Sequence, residues 1–280
     1  MATTLDVLAS GFAFPEGPRW HDGALWLSDM HGPEVLRLDA AGEATPIVTV
    51  PELPSGLGWL PDGRLLIVSM HDRKVLRLDP SGLVEHADLS GVATWHCNDM
   101  VVDRAGRAYV SNFGSGAPPG EPITPGKIAR VGPDGTVSIA AGDMGFANGM
   151  AITPDGTTFI VAETRSEPPR LTAFDIGADG SLTNRRSLID FTDAAPDGIC
   201  LDAEGAIWVA SPFTNEALRV LDGRVVTRVS TGDQGCYAVA IGGPDGHTLF
   251  ICTSGSWIPE EAKALRNGRV CTLTVDVPAA

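Results

Sequence analysis

The chain has 280 residues and a formal net charge of −15, with 35 acidic against 20 basic side chains. That balance works against nucleic acid or an anionic membrane as a partner and favours cations. Apolar residues make up 43% of the chain, enough to bury a sizeable core. No apolar run reaches the ~18 residues of a membrane span, and no basic-then-apolar leader opens the chain, so a soluble, cytoplasmic protein is expected. Five cysteines (Cys97, Cys200, Cys236, Cys252, Cys271) are odd in number, widely spaced and mostly set in apolar runs. They read as buried, reduced thiols rather than a disulfide framework. The 33 glycines and 21 prolines fall at regular places, which indicates many tight turns rather than disorder.

In chain order, residues 3–10 (TTLDVLAS) are expected to form a strand whose partner is set only by the architecture. From Glu16, EGPRWHDGALWLSDMHGPEVLRLDAAG reads as two short apolar strands around Asp22-Gly23, a third at 35–39 (VLRLD) and a fourth at 45–50 (TPIVTV). The pattern returns from Ser55 as SGLGWLPDGRLLIVSMHDRKVLRLDPSG, with its third strand at 75–79. More degenerate copies begin at Asn98 (NDMVVDRAGRAYVSNFG), Asn148 (NGMAITPDGTTFIVAET), Asp197 (DGICLDAEGAIWVASPF) and Tyr237 (YAVAIGGPDGHTLFICTSG). Their third strands are predicted at 127–131, 171–176, 217–221 and 269–275. The pairs Asp22-Gly23, Asp62-Gly63, Asp155-Gly156 and Asp245-Gly246 supply the positive φ of a tight hairpin. No stretch carries sustained helical periodicity.

Repeats of roughly 40–50 residues with about four strands each are the signature of propeller blades, because one small sheet cannot bury both faces alone. Six copies predict an all-β, six-bladed β-propeller of four-stranded antiparallel blades, a single domain over 1–280, with residues 3–10 closing the last blade. In such a fold the first strands line the central channel, and the residues that begin them converge at its upper mouth. Those residues are Glu16, Ser55, Asn98, Asn148, Asp197 and Tyr237. Two carboxylates and two carboxamides at equivalent places suit one divalent cation, either Ca, Mg or Mn by their hard oxygen donors or Zn, which also accepts them. Capping of turns and channel waters is the bland alternative for any one of them.

The motifs EGPRW at 16–20, ND at 98–99, NGMAITPDG at 148–156 and PDGICLDAEGAIWVA at 196–210 resemble the SMP-30/gluconolactonase/luciferin-regenerating-enzyme family over nearly the whole chain. The resemblance implies a metal-dependent lactonase, with Glu16, Asn148 and Asp197 binding the cation and Asn98 beside it, touching metal or substrate. Such a metal acts as a Lewis acid on the ring carbonyl, and a nearby carboxylate then acts as general base. Asp197 is the first choice for that base and Asp99 the reserve, with the Asn98 amide as donor to the oxyanion. No GxSxG elbow or HExxH spacing offers a different chemistry.

Loops between second and third strands face the same mouth and supply candidate substrate contacts, with plain polar loop surface as the alternative: His31, His71, Asn112, Phe113, Glu163 with Thr164 and Arg165, Phe213, and Ser254 to Trp257. The segment 112–127 (NFGSGAPPGEPITPGK) reads as a structured lid. Sugar-lactone members of the family carry an arginine two positions ahead of the ND asparagine. Here the run is WHCND, with His96 in that place beside Trp95 and Cys97, and Phe113, Phe146, Phe213 and Trp257 add aromatic walls. The substrate is therefore expected to be a lactone or ester less polar than a sugar lactone, turned over by a monomer or small homo-oligomer. A phosphotriesterase-type hydrolase on the same metal site, or a non-catalytic calcium-binding propeller, are the alternatives.

Overall fold

The computed structural model describes residues 5–118 and 120–280. They form six four-stranded antiparallel sheets, the blades of a six-bladed β-propeller, each with its strands in sequential order except the last. Blade 1 comprises Pro15–His21, Ala24–Asp29, Glu34–Leu38 and Ala44–Thr49; blade 2 comprises Pro54–Trp59, Leu65–Ser69, Lys74–Asp79 and Gly82–Asp88. Blade 3 is built from Cys97–Val102, Ala108–Asn112, Gly126–Val131 and Val137–Met144. Blade 4 is built from Ala147–Ile152, Thr158–Glu163, Arg170–Ile176 and Leu182–Asp190. Ile199–Leu201, Ile207–Ser211, Glu216–Leu221 and Arg224–Ser230 make blade 5. Gly235–Gly242, Thr248–Ser254 and Gly268–Thr274 make blade 6, and Asp6–Phe12 supplies its outer strand from the other end of the chain. Of the closing stretch expected at 3–10, residues 3 and 4 lie outside the described residues. One short helix, α1 (Pro259–Leu265), sits in the loop between the second and third strands of blade 6. No helix among the described residues is long and apolar enough to cross a membrane.

The chain divides into two compact units of three consecutive blades. One, residues 1–54 with 193–280, holds blades 1, 5 and 6; the other, residues 55–192, holds blades 2, 3 and 4. Burial falls outward along each blade. Second strands such as LLIVS, AYVSN and IWVAS are buried at every position, whereas the fourth strand LTNRRSLID of blade 4 is mostly exposed. A strand covered on both faces needs an unbroken apolar run, and an edge strand facing water does not. The cores accordingly lie between neighbouring blades. Phe12, Leu25, Leu38 and Phe250 pack blade 6 on blade 1, and Trp208, Val239 and Ile251 pack blade 5 on blade 6. Tyr109, Ile128, Phe159 and Phe174 pack blade 3 on blade 4.

The four Asp-Gly turns divide into two kinds. At Asp22-Gly23 both residues have positive φ (47° and 72°), as a two-residue hairpin requires. At the other three only the glycine does, and the aspartate instead accepts the N–H two residues on, as Asp62 does from Arg64, Asp155 from Thr157 and Asp245 from His247. These loops are longer, so the aspartate acts through its side chain rather than through a left-handed backbone.

All five cysteines are free thiols, and burial raises the pKa of each, that of Cys97 up to about 12. The thiolate is the reactive form, so native protein at pH 8 is expected to leave all five unmodified by a disulfide reagent such as DTNB over minutes. All five should react after denaturation, and rapid native labelling of any one would contradict its burial.

Candidate active site

The first strands do not begin as plain ladders. In blades 1, 3, 4 and 6 the register against the second strand shifts by one residue near the start, between Glu16 and Arg19, Cys97 and Met100, Ala147 and Met150, and Cys236 and Ala238. An extra residue in one strand is a bulge, which leaves the ladder locally unpaired and re-aims the side chains at that point. Gly17 is the residue that allows it in blade 1, with φ at +56° in the left-handed region. Its N–H is accepted by Glu16 Oε2 at 2.8 Å, which fixes the carboxylate of the EGP motif.

Glu16 and Asp197 belong to the same unit. The Asp197 N–H donates to Ala210 O, and the Gly198 N–H donates to Tyr237 O, both at 2.9 Å. A Cβ on Gly198 would lie 2.7 Å from Ala238 Cα, so glycine is required for the two strands to approach this closely. Tyr237 is buried, with its ring centroid 4.6 Å from that of Phe14. Burial first, and then the charges of Asp197 and Glu16, push the Tyr237 phenol well above its ordinary pKa. The same two carboxylates add to burial in raising the Cys236 thiol. Two acidic groups thus act on one buried spot.

The second unit contains a chain of hydrogen bonds. Ser55 Oγ donates to Asn98 Oδ1 at 3.1 Å, Asn98 Nδ2 donates to Asn148 Oδ1 at 2.6 Å, and Asn148 Nδ2 donates to Thr164 Oγ1 at 3.1 Å. All four residues are buried. Because each amide gives through nitrogen and accepts through oxygen, the chain orients both carboxamides and leaves one N–H of Asn98 for another acceptor. Asp99, the reserve base, makes two local bonds. Its Oδ1 accepts the Met100 N–H at 2.8 Å, and its own N–H donates to Ser111 Oγ at 3.0 Å, so it braces the bulge.

The other candidate residues have the following surroundings. The rings of His71 and His96 are 4.2 Å apart, and Trp95 stacks on His96 at 4.7 Å with 20° between planes. Burial, helped by His71 and Arg73, lowers the His96 pKa to about 4, so the imidazole is neutral at pH 7. Phe113 stacks on Phe146 at 4.2 Å. In the other unit His31 is buried, with Nε2 3.4 Å from Trp257 O and its ring 5.1 Å from Phe14. The Trp257 side chain is exposed, and Phe213 is the most exposed large apolar residue described, at 67%.

Glu163 does not line a surface. It is 1% exposed, and its carboxylate accepts the Gly145 N–H at 2.7 Å, the Thr172 hydroxyl and Arg185 Nη2 at 2.9 and 3.1 Å. The reason is positional. In every blade the second strand ends on a buried polar residue, namely Asp29, Ser69, Asn112, Glu163, Ser211 or Ser254. Several of these satisfy the backbone of neighbouring segments, as Asn112 does for Gly114 N–H and Lys127 O. The residues beside Glu163 take the more direct part: Thr164 receives the Asn148 amide, and Arg165 reaches the segment after Phe113. Neither Thr164 nor Tyr237 is singled out by its residue type. Their only signal in the sequence is where they stand in the repeat.

Residues 14–255 match the model of the SMP-30/gluconolactonase/LRE-like region. The chain is 29% identical over 161 residues to pentonolactonase XacC of Haloferax volcanii, covering 56% of this chain and 53% of that protein. It spans about half the length of the curated relatives it matches. Regucalcin from Agrobacterium tumefaciens, described as a calcium-binding protein, superposes with a TM-score of 0.83 at 24% identity, covering 100% of this chain and 96% of that one. A gluconolactonase from Xanthomonas campestris superposes with a TM-score of 0.76 at 24% identity, covering 98% and 89%. With a family match over most of its length and the same fold throughout, the chain belongs to the SMP-30/gluconolactonase/LRE-like family.

Proposed function

We propose that the protein is a metal-dependent lactonase, with Glu16, Asn148 and Asp197 as cation ligands and Asn98 beside them. The observation that carries this reading is the set of fixed oxygen donors at the family's motif positions. Glu16 and Asp197 act on one buried spot, and the Asn148 carbonyl oxygen is oriented by the amide chain from Ser55 to Thr164. Hard carboxylate and carbonyl oxygens fit a divalent cation, be it Ca, Mg, Mn or Zn. When bound, the cation supplies Lewis acidity to the lactone carbonyl oxygen. Asp197 takes a proton from the attacking water as its oxygen bonds to the carbonyl carbon. The remaining N–H of Asn98 donates to the developing oxyanion. The acyl C–O ring bond then breaks, and the proton held on Asp197 passes to the leaving alkoxide, giving the open hydroxy acid.

The aromatic stacks of Trp95 on His96 and of Phe113 on Phe146 favour a ring less polar than a sugar lactone, because flat apolar faces gain by excluding water from alkyl or aryl groups. The test is lactone hydrolysis followed by pH-stat, on a panel from aldonolactones to alkyl and aryl lactones. Protein stripped with EDTA should be inactive and regain turnover with one of Ca, Mg, Mn or Zn. Glu16→Gln should weaken cation binding by calorimetry by about 1–2 orders of magnitude, as expected for loss of a charged ligand oxygen. Full activity after stripping would rule out the metal. Cleavage of phosphotriesters without lactones would reassign the reaction, and preference for aldonolactones would reject the less polar substrate.

A further inference from the structure

We propose that Arg165 is a positioning residue that holds the loop between the second and third strands of blade 3 as a fixed wall, and so sets affinity for the apolar part of the substrate. The proposal rests on the lactonase reading above.

Arg165 lies just past the second strand of blade 4, yet its guanidinium reaches back to the loop of blade 3. Its Nη1 donates to Ala117 O at 2.5 Å, and its Nη2 donates to Pro118 O and to Glu121 O, both at 2.8 Å. Three carbonyls from one short segment converge on a single planar fork, a geometry a lysine ammonium cannot reproduce. The guanidinium carbon also sits 5.8 Å from the Phe146 ring centroid, and Phe146 stacks on Phe113 at the start of the same loop. The loop is fastened on its other side by Thr94 Oγ1, which donates to Gly114 O at 2.7 Å. Trp95 lies so close to Gly116 that a Cβ there would meet the indole at 2.7 Å.

The fastenings end on residues adjacent in sequence to the amide chain. Trp95 and His96 precede Asn98, the Phe113 N–H donates to His96 O at 3.1 Å, and Thr164, next to Arg165, receives the Asn148 amide. A loop rich in proline and glycine, with no strand of its own among the described residues between 113 and 125, has little local stability. Arg165 supplies three charge-assisted bonds to it, which are stronger than neutral ones. Their role is to order the wall before substrate arrives, which lowers the entropy cost of binding rather than the barrier to chemistry.

The experiment combines hydrogen exchange with steady-state kinetics on wild type, Arg165→Ala and Arg165→Lys. In Arg165→Ala, amides of the 113–125 peptide should exchange at least about tenfold faster while peptides elsewhere are unchanged. KM for the best apolar lactone should rise about tenfold with kcat within about twofold, the signature of lost ground-state ordering. Arg165→Lys should fall between, and added guanidinium should partly restore the KM of Arg165→Ala. Unchanged exchange in the loop overturns the proposal, as does faster exchange with unaltered KM, or kcat and KM failing together with exchange raised throughout. If wild type turns over no lactone, the lactonase reading fails separately. Loop exchange in the two variants then still decides whether Arg165 holds the wall, and an unchanged loop rejects it.

Discussion

Asp197→Asn is expected to lower kcat for lactone hydrolysis by about 10²–10⁴-fold, the range a positioned general base contributes. Asparagine keeps the shape and one carbonyl oxygen, so a ligand atom survives while proton acceptance is lost. Backbone bonds that the exchange leaves intact help to place this residue. The Asp197 N–H is held by Ala210 O, and the Gly198 N–H by Tyr237 O. Removing one of the two carboxylates that act on Tyr237 should also lower the pKa of that phenol from its raised value, read by ultraviolet titration. Asp99→Asn is the comparison. The Asp99 Oδ1 already accepts the Met100 N–H, a bond asparagine can keep, so its kcat should stay within about tenfold of wild type. Measuring kcat and KM for both variants on one lactone, with cation affinity by calorimetry, separates the roles. A larger loss in Asp99→Asn would move the base to that residue, and near-normal turnover in Asp197→Asn would remove Asp197 from the chemistry.

Asp29→Ala should cause the largest loss of stability among these changes. The Asp29 side chain is 2% exposed, and its oxygens accept the N–H groups of Ala13 (3.1 Å) and Phe14 (2.7 Å). Those two residues carry the chain from the outer strand of blade 6 into the first strand of blade 1, so one carboxylate secures the closing strand to the blade it must reach. Alanine would leave two N–H donors without their acceptors, at about 1–3 kcal/mol each. The expected total of about 2–5 kcal/mol corresponds to a fall in Tm of roughly 5–15 °C for a chain of this size. Arg266 Nη2, 3.6 Å from Asp29 Oδ2, is half-exposed and contributes little beside the two amides. Asp29→Asn can keep one acceptor and should lose about half as much. A thermal midpoint for Asp29→Ala within about 2 °C of wild type would show that the closure does not depend on this residue.

Much of this architecture is written locally. Each blade announces itself through apolar runs and glycine turns that lie within a few residues of one another. The predicted third strand at 75–79, for instance, is observed at 74–79, and the one at 171–176 at 170–176. The closing strand follows from the architecture and not from a local signal, because blade 6 lacks a fourth strand of its own. The same repeat numbering picks out Glu16, Asn98, Asn148 and Asp197 as oxygen donors at matching positions. What each polar side chain does was decided only in three dimensions. In the sequence Asp99 reads as the reserve base and Glu163 as a substrate contact, and neither the bond of Asp99 to the Met100 N–H nor that of Glu163 to the Gly145 N–H is visible there. Arg165 lies 44 to 48 residues from the carbonyls it holds, and the amide of Asn98 meets that of Asn148 across 50. Strand and turn preferences act between near neighbours and therefore leave a pattern in the sequence. A hydrogen bond between loops of different blades depends on how the blades pack, and the identity of one partner carries no mark of the other.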